Sequence, residues 1–443
     1  MWLLPALAPV CSLAARIYYR LAVAGRTIPA RGPVLLVANH PNSILDPVLV
    51  AAAARRPVRF LAAATTTNRL GFGRLVRATG AIPVYRRMDD PSQVRRNEEM
   101  FRAVHAAIVR GDAVAIFPEG LSHDDPAMAP LKTGAARIAL GAFAAGCARC
   151  PIIPVGLVYR RRERFRSDAF AVVGQAVAWD DLAHAGVDNV EAVRELTRRI
   201  DDSLREVTVN LQRWEDAPVV ECAESIYVAE FGARTDPVRH VAHVREATEI
   251  LARLREEESA QWAALVRDVA RHARILKRLG LAPADVHVSP TGRDTLRWTA
   301  RQVPAVAFTL LAALGCLIFW PPYRLTDVIA SAAVSRPSAR STARLLYGLI
   351  IFAIWIALLA AAAARAGGAV AGLVALLVLP IWSLAALRAR DHWYEWRAQV
   401  RHFFLRRARA TTLQELRARQ RELAARLKAV RDAFEETRPE VGA

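Results

Sequence analysis

The chain has 443 residues, a 53% apolar composition and a formal charge of +19, from 61 Lys and Arg against 42 Asp and Glu. That apolar share excludes a disordered chain, the length allows two or three domains, and the charge asks for a polyanionic partner, nucleic acid or an anionic bilayer. Long apolar runs near the C-terminus select membrane lipid, and with no zinc-finger spacing or RNP-like motif no nucleic-acid partner is expected. Five cysteines (Cys11, Cys147, Cys150, Cys222 and Cys316) are too few and scattered for a disulfide scaffold. Cys147-Ala-Arg-Cys150 reads as two small buried residues ahead of a strand, so no metal site is expected.

In chain order, Trp2–Val23 places Leu3, Leu4, Leu7, Val10, Leu13 and Ile17 among Arg16 and Arg20. It reads as an interfacial membrane-associating helix over residues 1–24, or as a helix packed on the catalytic core. No basic stretch precedes Trp2–Ala15, so a cleavable signal peptide is not expected. Strand candidates follow at Val34–Ala38, Val58–Ala63, Ala81–Tyr85, Ala113–Phe117, Ile152–Tyr159 and Phe170–Gly174. They alternate with helices over Ser43–Ala54, Asn68–Ala78, Pro91–Arg110 and Thr133–Ala145, and Val193–Trp214 closes the domain. The pattern is α/β, a mixed sheet flanked by helices, over residues 25–218. Residues 219–300 form a polar helical segment with no assigned chemistry.

The stretch Val34–Asp46 (VLLVANHPNSILD) carries the first chemistry. The strand stops at Asn39-His40, and the next helix starts near Pro47 with Asp46 as its expected N-cap. On one regular helix His40 and Asp46 would point about 240° apart. The bend at His40–Asn42 lets them meet. A His held by a carboxylate is a general base, with its tautomer fixed and its imidazolium stabilised. The other reading is a capping Asp beside a structural His. Ser43 lies between the two, without the flanking glycines of a nucleophile elbow, so direct reaction of the substrates is favoured over a covalent intermediate on Ser43.

Three later blocks join it: Gly80–Arg87 (GAIPVYRR), Phe117–His123 (FPEGLSH) and Ile152–Tyr159 (IIPVGLVY). The ordered four resemble the PlsC-type glycerolipid acyltransferase family over about residues 16–174. Five residues separate His40 from Asp46 where the commonest family pattern has four. That longer block is similar to the fungal-type glycerol-3-phosphate/dihydroxyacetone-phosphate acyltransferase branch. The resemblance implies His40 as base, Asp46 as its orienter, and a pocket for the glycerol phosphate shaped by Glu119 and Gly120. It implies no cofactor beyond the co-substrate, an acyl thioester donor on CoA or on acyl carrier protein.

Arg86 and Arg87 follow a strand, where an α/β site collects its ligands, and arginine forks match phosphate oxygens. The other reading is two surface arginines paired with Asp89 and Asp90. Glu119 is alternatively a loop residue in a tight turn, and His123 is a rival base. Lys132-Thr133-Gly134 opens a helix whose N-terminus can hold an anion. Pro154-Val155 borders the acyl or acceptor pocket by resemblance, or simply packs in the core. The class that competes with an enzyme is a non-catalytic lipid-binding protein on the same fold.

Residues 301–395 form the membrane region. Leu345–Ala364 and Ala369–Leu387 are long enough to cross a bilayer, whereas Pro304–Trp320 is short and ends in Pro321-Pro322. Arg293, Arg297 and Arg301 precede that first segment, and Arg324, Arg336, Arg340 and Arg344 follow it. Basic flanks on both sides predict that it re-enters or lies on the surface, and that a transmembrane hairpin over 345–387 turns at Arg365–Gly368. The catalytic domain then faces the cytoplasm. Over residues 396–443 a heptad pattern (Leu413, Leu416, Gln420, Leu423, Leu427, Val430 and Phe434) predicts an amphipathic helix, packed on its own chain or on a second copy in a homodimer.

Overall fold

The computed structural model describes residues 4–67, 72–86, 89, 91–232, 236–257, 260–286, 292–334, 336–408 and 410–436. The chain divides into two compact units. One comprises Met1–Leu211, Asp236–Arg245 and Arg336–Thr342. The other comprises Gln212–Thr235, Glu246–Ser335 and Ala343–Ala443.

The first unit opens with helix α1 (Leu4–Tyr18) and strand β1 (Arg20–Gly25), then β2 (Val34–Ala38), α2 (Leu45–Ala54), β3 (Val58–Ala63), the short α3 (Ala64–Thr67), α4 (Phe72–Ala78) and β4 (Ile82–Val84). A 3-10 turn at Pro91–Arg96 leads into α5 (Asn97–Val109), followed by β5 (Ala113–Ile116), α6 (Gly134–Ala144), β6 (Ile152–Tyr159), β7 (Asp168–Val173) and α7 (Val190–Val207). The seven strands run in the order β1-β7-β6-β2-β5-β3-β4. Every pairing is parallel except β6 with β7. The sheet is therefore mixed. Central β2 is buried along its whole length, which explains its unbroken apolar run. One face packs on α5, α6 and α7 through Leu35, Val104, Ile108, Ile138, Leu196 and Ile200. Cys147 and Cys150 belong to this core.

Strand β1 is a correction to the sequence reading, which ran one helix to Val23 and put a domain boundary at residue 24. The helix ends at Tyr18, and Arg20–Gly25 pairs with β7. A pairing partner 148 residues away leaves no mark on the local apolar spacing, and tertiary pairing overrides propensity here. Gly25 ends the strand at φ +96°, where a Cβ would lie 2.1 Å from the Val173 carbonyl oxygen. Helix α1 packs on α2 and buries Ala15 and Tyr18, while Val10 and Leu13 stay exposed.

The second unit is helical: α8 (Ala217–Phe231), α9 (Pro237–Glu256, which starts in the first unit), α10 (Ala260–Leu279), α11 (Gly292–Ala333), α12 (Pro337–Ala408, whose first residues also belong to the first unit) and α13 (Ala410–Glu436). The heptad stripe of α13 is buried within its own chain. Leu423, Ala424 and Val430 pack with Cys222, Ile226, Leu265 and Val269, and Leu413 and Leu416 pack with Leu276 and Leu281. Gln420 is fully buried and bonds Glu230, the Pro283 carbonyl and His272.

Among the described residues one helix, α12, contains an apolar stretch long enough to cross a membrane, Ala339–Asp391. It breaks at Gly368 (φ 81°, ψ 176°). A Cβ on Gly372 would lie 2.7 Å from the Ala364 Cβ and 3.2 Å from the Ala360 carbonyl oxygen. In one straight helix residues 360 and 372 would be about 18 Å apart. The chain therefore doubles back at Gly368 as two arms.

The sequence reading closed Pro304–Trp320 at Pro321-Pro322, as a segment that re-enters or lies along the surface. The stop at the prolines is corrected: the segment runs on inside α11, one continuous helix. Pro322 cannot donate to the Ile318 carbonyl. The indole Nε1–H of Trp355, on the first arm of α12, donates to that carbonyl at 3.1 Å. Phe319 stacks on Phe352 nearby, and Gly315 lies against Ala386 and Trp382 of the second arm.

Candidate active site

Parallel pairing puts the motifs at one edge. Val37 of β2 is in register with Ile116 of β5, and Ala38 with Val155 of β6. The strand ends therefore deliver His40, Glu119 and Tyr159 to the same side, the C-terminal edge where α/β sheets gather ligands. β4, parallel to β3, brings Arg86 there as well. Past the end of β2, the Asn39 side chain continues the pairing. Its Nδ2 donates to the Leu157 carbonyl at 3.0 Å, and its Oδ1 accepts from the Leu157 N–H at 2.7 Å.

His40 Nδ1 lies 2.8 Å from Asp46 Oδ2, and Asp46 is fully buried. The same oxygen accepts from the Asn42 N–H at 2.6 Å, and Oδ1 accepts from the Tyr159 hydroxyl at 2.6 Å. The expected capping role is corrected: Ile44 is the N-cap of α2, and Asp46 sits inside the first turn with its carboxylate turned back to His40. Against an acceptor oxygen Nδ1 carries the hydrogen, which leaves the Nε2 lone pair for an incoming proton. The imidazole stacks on Phe117 at 4.2 Å between ring centres. The bend needed for this meeting is carried by Ser43 at φ +48°, whose N–H donates to Ser122 Oγ.

Glu119 ties the second motif to the first. Its Oε1 accepts from the His40 N–H at 2.6 Å, and its Oε2 accepts from the Ala129 N–H at 2.7 Å and lies 2.5 Å from His123 Nε2. This carboxylate is almost wholly buried and braces two loops. His123 accepts from the Asp125 N–H through Nδ1, so both of its ring nitrogens are engaged. Its place as a rival base therefore weakens, while the Nε2 of His40 stands ready.

Gly120 turns at φ +76°, and a Cβ there would meet Lys132 Nζ at 2.6 Å. The exposed Lys132 thus lies over the turn, and its own N–H donates to the Pro118 carbonyl at 2.8 Å. Arg86 makes a two-pronged pair with Asp89 at 2.7 and 2.9 Å and reaches the Gly120 carbonyl at 3.3 Å. Two cationic groups therefore meet at the Gly120 turn, whose neighbour Glu119 holds the His40 loop. Arg87 lies outside the described residues. Pro154 and Val155 are buried in β6 as core.

Residues 20–158 match the family model described as Acyltransferase. This stretch is similar to the acyltransferase family. The chain is 28% identical over 272 residues to glycerol-3-phosphate O-acyltransferase 2 of Saccharomyces cerevisiae, covering 58% of this chain and 35% of that protein. It is 31% identical over 140 residues to glycerol-3-phosphate O-acyltransferase 1 of the same yeast, covering 30% and 18%. The chain thus spans about a third or less of the length of these curated relatives. Among solved structures it is similar to the 1-acyl-sn-glycerophosphate acyltransferase PlsC of Thermotoga maritima, at 18% identity and a TM-score of 0.34, covering 45% of this chain and 78% of that one.

The domain holds the His40–Asp46 pair with residues that the sequence reading did not single out. Asn42 is fully buried, and its Nδ2 donates to the Tyr19 hydroxyl at 2.7 Å. Burial first, and neighbouring charge second, push the hydroxyls of Tyr19 and Tyr159 well above the usual tyrosine range. Both remain protonated at neutral pH, so Tyr159 is a standing donor to Asp46. Tyr159 closes the IIPVGLVY block, and its position at a strand end was the one available signal. Nothing local marks Asn42 or Tyr19.

Proposed function

We propose that the chain is a membrane-associated enzyme that transfers a fatty acyl group from an acyl thioester to a hydroxyl of glycerol 3-phosphate, dihydroxyacetone phosphate or a lysophosphatidate. The observation that carries this reading is the Nε2 of His40, without a partner among the described residues and set by the 2.8 Å contact between Nδ1 and a buried, triply hydrogen-bonded Asp46. The acceptor hydroxyl gives its proton to Nε2 as its oxygen attacks the thioester carbonyl. The C–S bond then breaks, the imidazolium returns the proton to the leaving thiolate, and an ester and a free thiol result. Asp46 holds the imidazolium during the interval. Arg86 and Lys132, at the Gly120 turn, supply positive charge for the acceptor phosphate. Arg86 meets that phosphate by loosening its pair with Asp89. The apolar arms of α12 hold the enzyme in the bilayer where its product belongs, with the catalytic unit on the cytoplasmic side.

The test is transfer by the purified full chain from acyl-CoA or acyl carrier protein to each of the three acceptors. Transfer to at least one, abolished in His40→Ala, supports the reading. Vesicle binding without transfer to any acceptor would make the chain a lipid-binding protein instead.

A further inference from the structure

Between β6 and β7, residues 160–167 form a loop gripped from several sides. The end of α1 is tied to it: the Arg166 N–H donates to the Tyr18 carbonyl at 2.7 Å, and the Arg166 guanidinium donates to the carbonyls of Arg16 and Ile17. At its centre stands Arg162, largely buried, with a side chain and a carbonyl that face different partners. Its guanidinium donates to the Pro41 carbonyl at 3.2 Å, the His123 carbonyl at 3.3 Å and the Asp124 carbonyl at 3.3 Å, and pairs with the Asp124 carboxylate at 2.7 Å. Pro41 adjoins His40, and His123 and Asp124 lie on the loop that carries Glu119. One planar fork therefore spans both motif loops, a geometry that an ammonium cannot copy.

The carbonyl of the same residue accepts from the Tyr19 hydroxyl and, at 2.8 Å, from Ser341 Oγ. Ser341 is fully buried and stands near the start of α12, in the part of that helix that belongs to the catalytic unit. Tyr19 continues to Asn42, and the Asn42 N–H to Asp46. The start of the apolar helix and the orienting carboxylate are thus joined by an unbroken run of hydrogen bonds. A second, exposed tie is Arg340 to Glu163 at 3.6 Å.

We propose that Arg162 is a positioning residue that clamps the His40 loop to the Glu119 loop, and that Ser341, at the root of the apolar helix, sets the clamp by fixing the backbone of Arg162. The clamp makes catalytic geometry depend on how the root of α12 is seated. As a claim about turnover it rests on the acyltransferase reading above.

The test uses the full chain in lipid nanodiscs. Arg162→Lys keeps the charge for Asp124 but cannot span the three carbonyls. It should lower kcat by about tenfold to a hundredfold, the usual cost of misplacing a catalytic group by about 1 Å, with both KM values within about threefold of wild type. Ser341→Ala should lower kcat less, and Ser341→Thr should restore it. In the double variant, Ser341→Ala should add little to Arg162→Lys, because the two act through one clamp. Amide hydrogen exchange gives a readout independent of turnover: residues 39–46 and 117–125 should exchange faster in both single variants, while β2 and β5 do not. If the wild type acylates none of the acceptors, the functional reading fails and exchange alone decides the clamp. If Arg162→Lys does not fold, Ser341→Ala decides. Wild-type kcat, strictly multiplicative losses, or faster exchange throughout the sheet would each overturn the proposal.

Discussion

Replacing Tyr159 with Phe removes one hydroxyl from behind the His40–Asp46 pair and leaves the ring, which packs against Tyr19 at 5.2 Å, in place. Asp46 would lose the donor on Oδ1, 2.6 Å away, and keep His40 and the Asn42 N–H on Oδ2. A hydrogen bond to a charged group contributes about 1.5–3 kcal/mol. Without it the carboxylate binds the imidazolium more strongly. An imidazolium held more tightly gives its proton to the leaving thiolate less readily, so kcat/KM should fall. If about half the lost interaction is felt in the transition state, the fall is about threefold to tenfold, since 1.36 kcal/mol is a factor of ten in rate.

The other groups facing the pair keep their places: Glu119 on the His40 N–H with His123 behind it, Arg162 on the Pro41 carbonyl, and Tyr19 through Asn42. The assay is initial acyl transfer at limiting acceptor, with thermal unfolding of the same preparation measured beside it. A loss of activity that tracks a loss of stability would mean that the hydroxyl only supports the fold. Wild-type kcat/KM in a folded Tyr159→Phe would refute the electrostatic reasoning.

Asp46→Asn should lower kcat by about a hundredfold to ten-thousandfold, as an amide favours the wrong tautomer and cannot stabilise the imidazolium, with turnover measured at saturating substrates. Replacing Arg86 and Arg87 together with Gln should raise the acceptor KM about tenfold to a hundredfold and leave the donor KM nearly unchanged; equal changes in both would assign these arginines to the fold. Gly120→Ala should also raise the acceptor KM, because its Cβ displaces Lys132 at a φ that Ala adopts poorly. For topology, single cysteines at positions 367 and 411, in a chain stripped of native cysteines, should react with an external impermeant thiol reagent at 367 only. Labelling at 411 would place the catalytic side outside.

The core strands were legible from their apolar runs, unbroken in the fully buried Val34–Ala38 and interrupted by Arg59 in Val58–Ala63, whose second half is only partly covered. These two and Ile152–Tyr159 were expected at their observed bounds. β1 was not, since its six residues are short, alternate weakly and depend on distant β7. Meeting of His40 with Asp46 was readable from the bend between them, yet the function of Asp46 in the helix was misread as a cap because both uses favour the same position. The burial of Glu119 under three donors, and the grip of Arg162, come from loops brought together by the order of the strands. One sequence carries no trace of such pairings. Pro321-Pro322 spelled a stop in isolation because the donor that relieves it lies 37 residues on from Ile318.

That late donor has a consequence for the order in which the two helices can be completed. When α11 leaves the ribosome, Pro322 offers no N–H to the Ile318 carbonyl, and Trp355 has not yet been made. Were this stretch to meet hydrocarbon alone, an unmet carbonyl would cost several kcal/mol, so the segment before the prolines would gain little by settling there first. It is completed only when the next helix arrives with an indole N–H at the matching height. Any entry into a bilayer would then be that of the pair, with the earlier helix waiting for its successor.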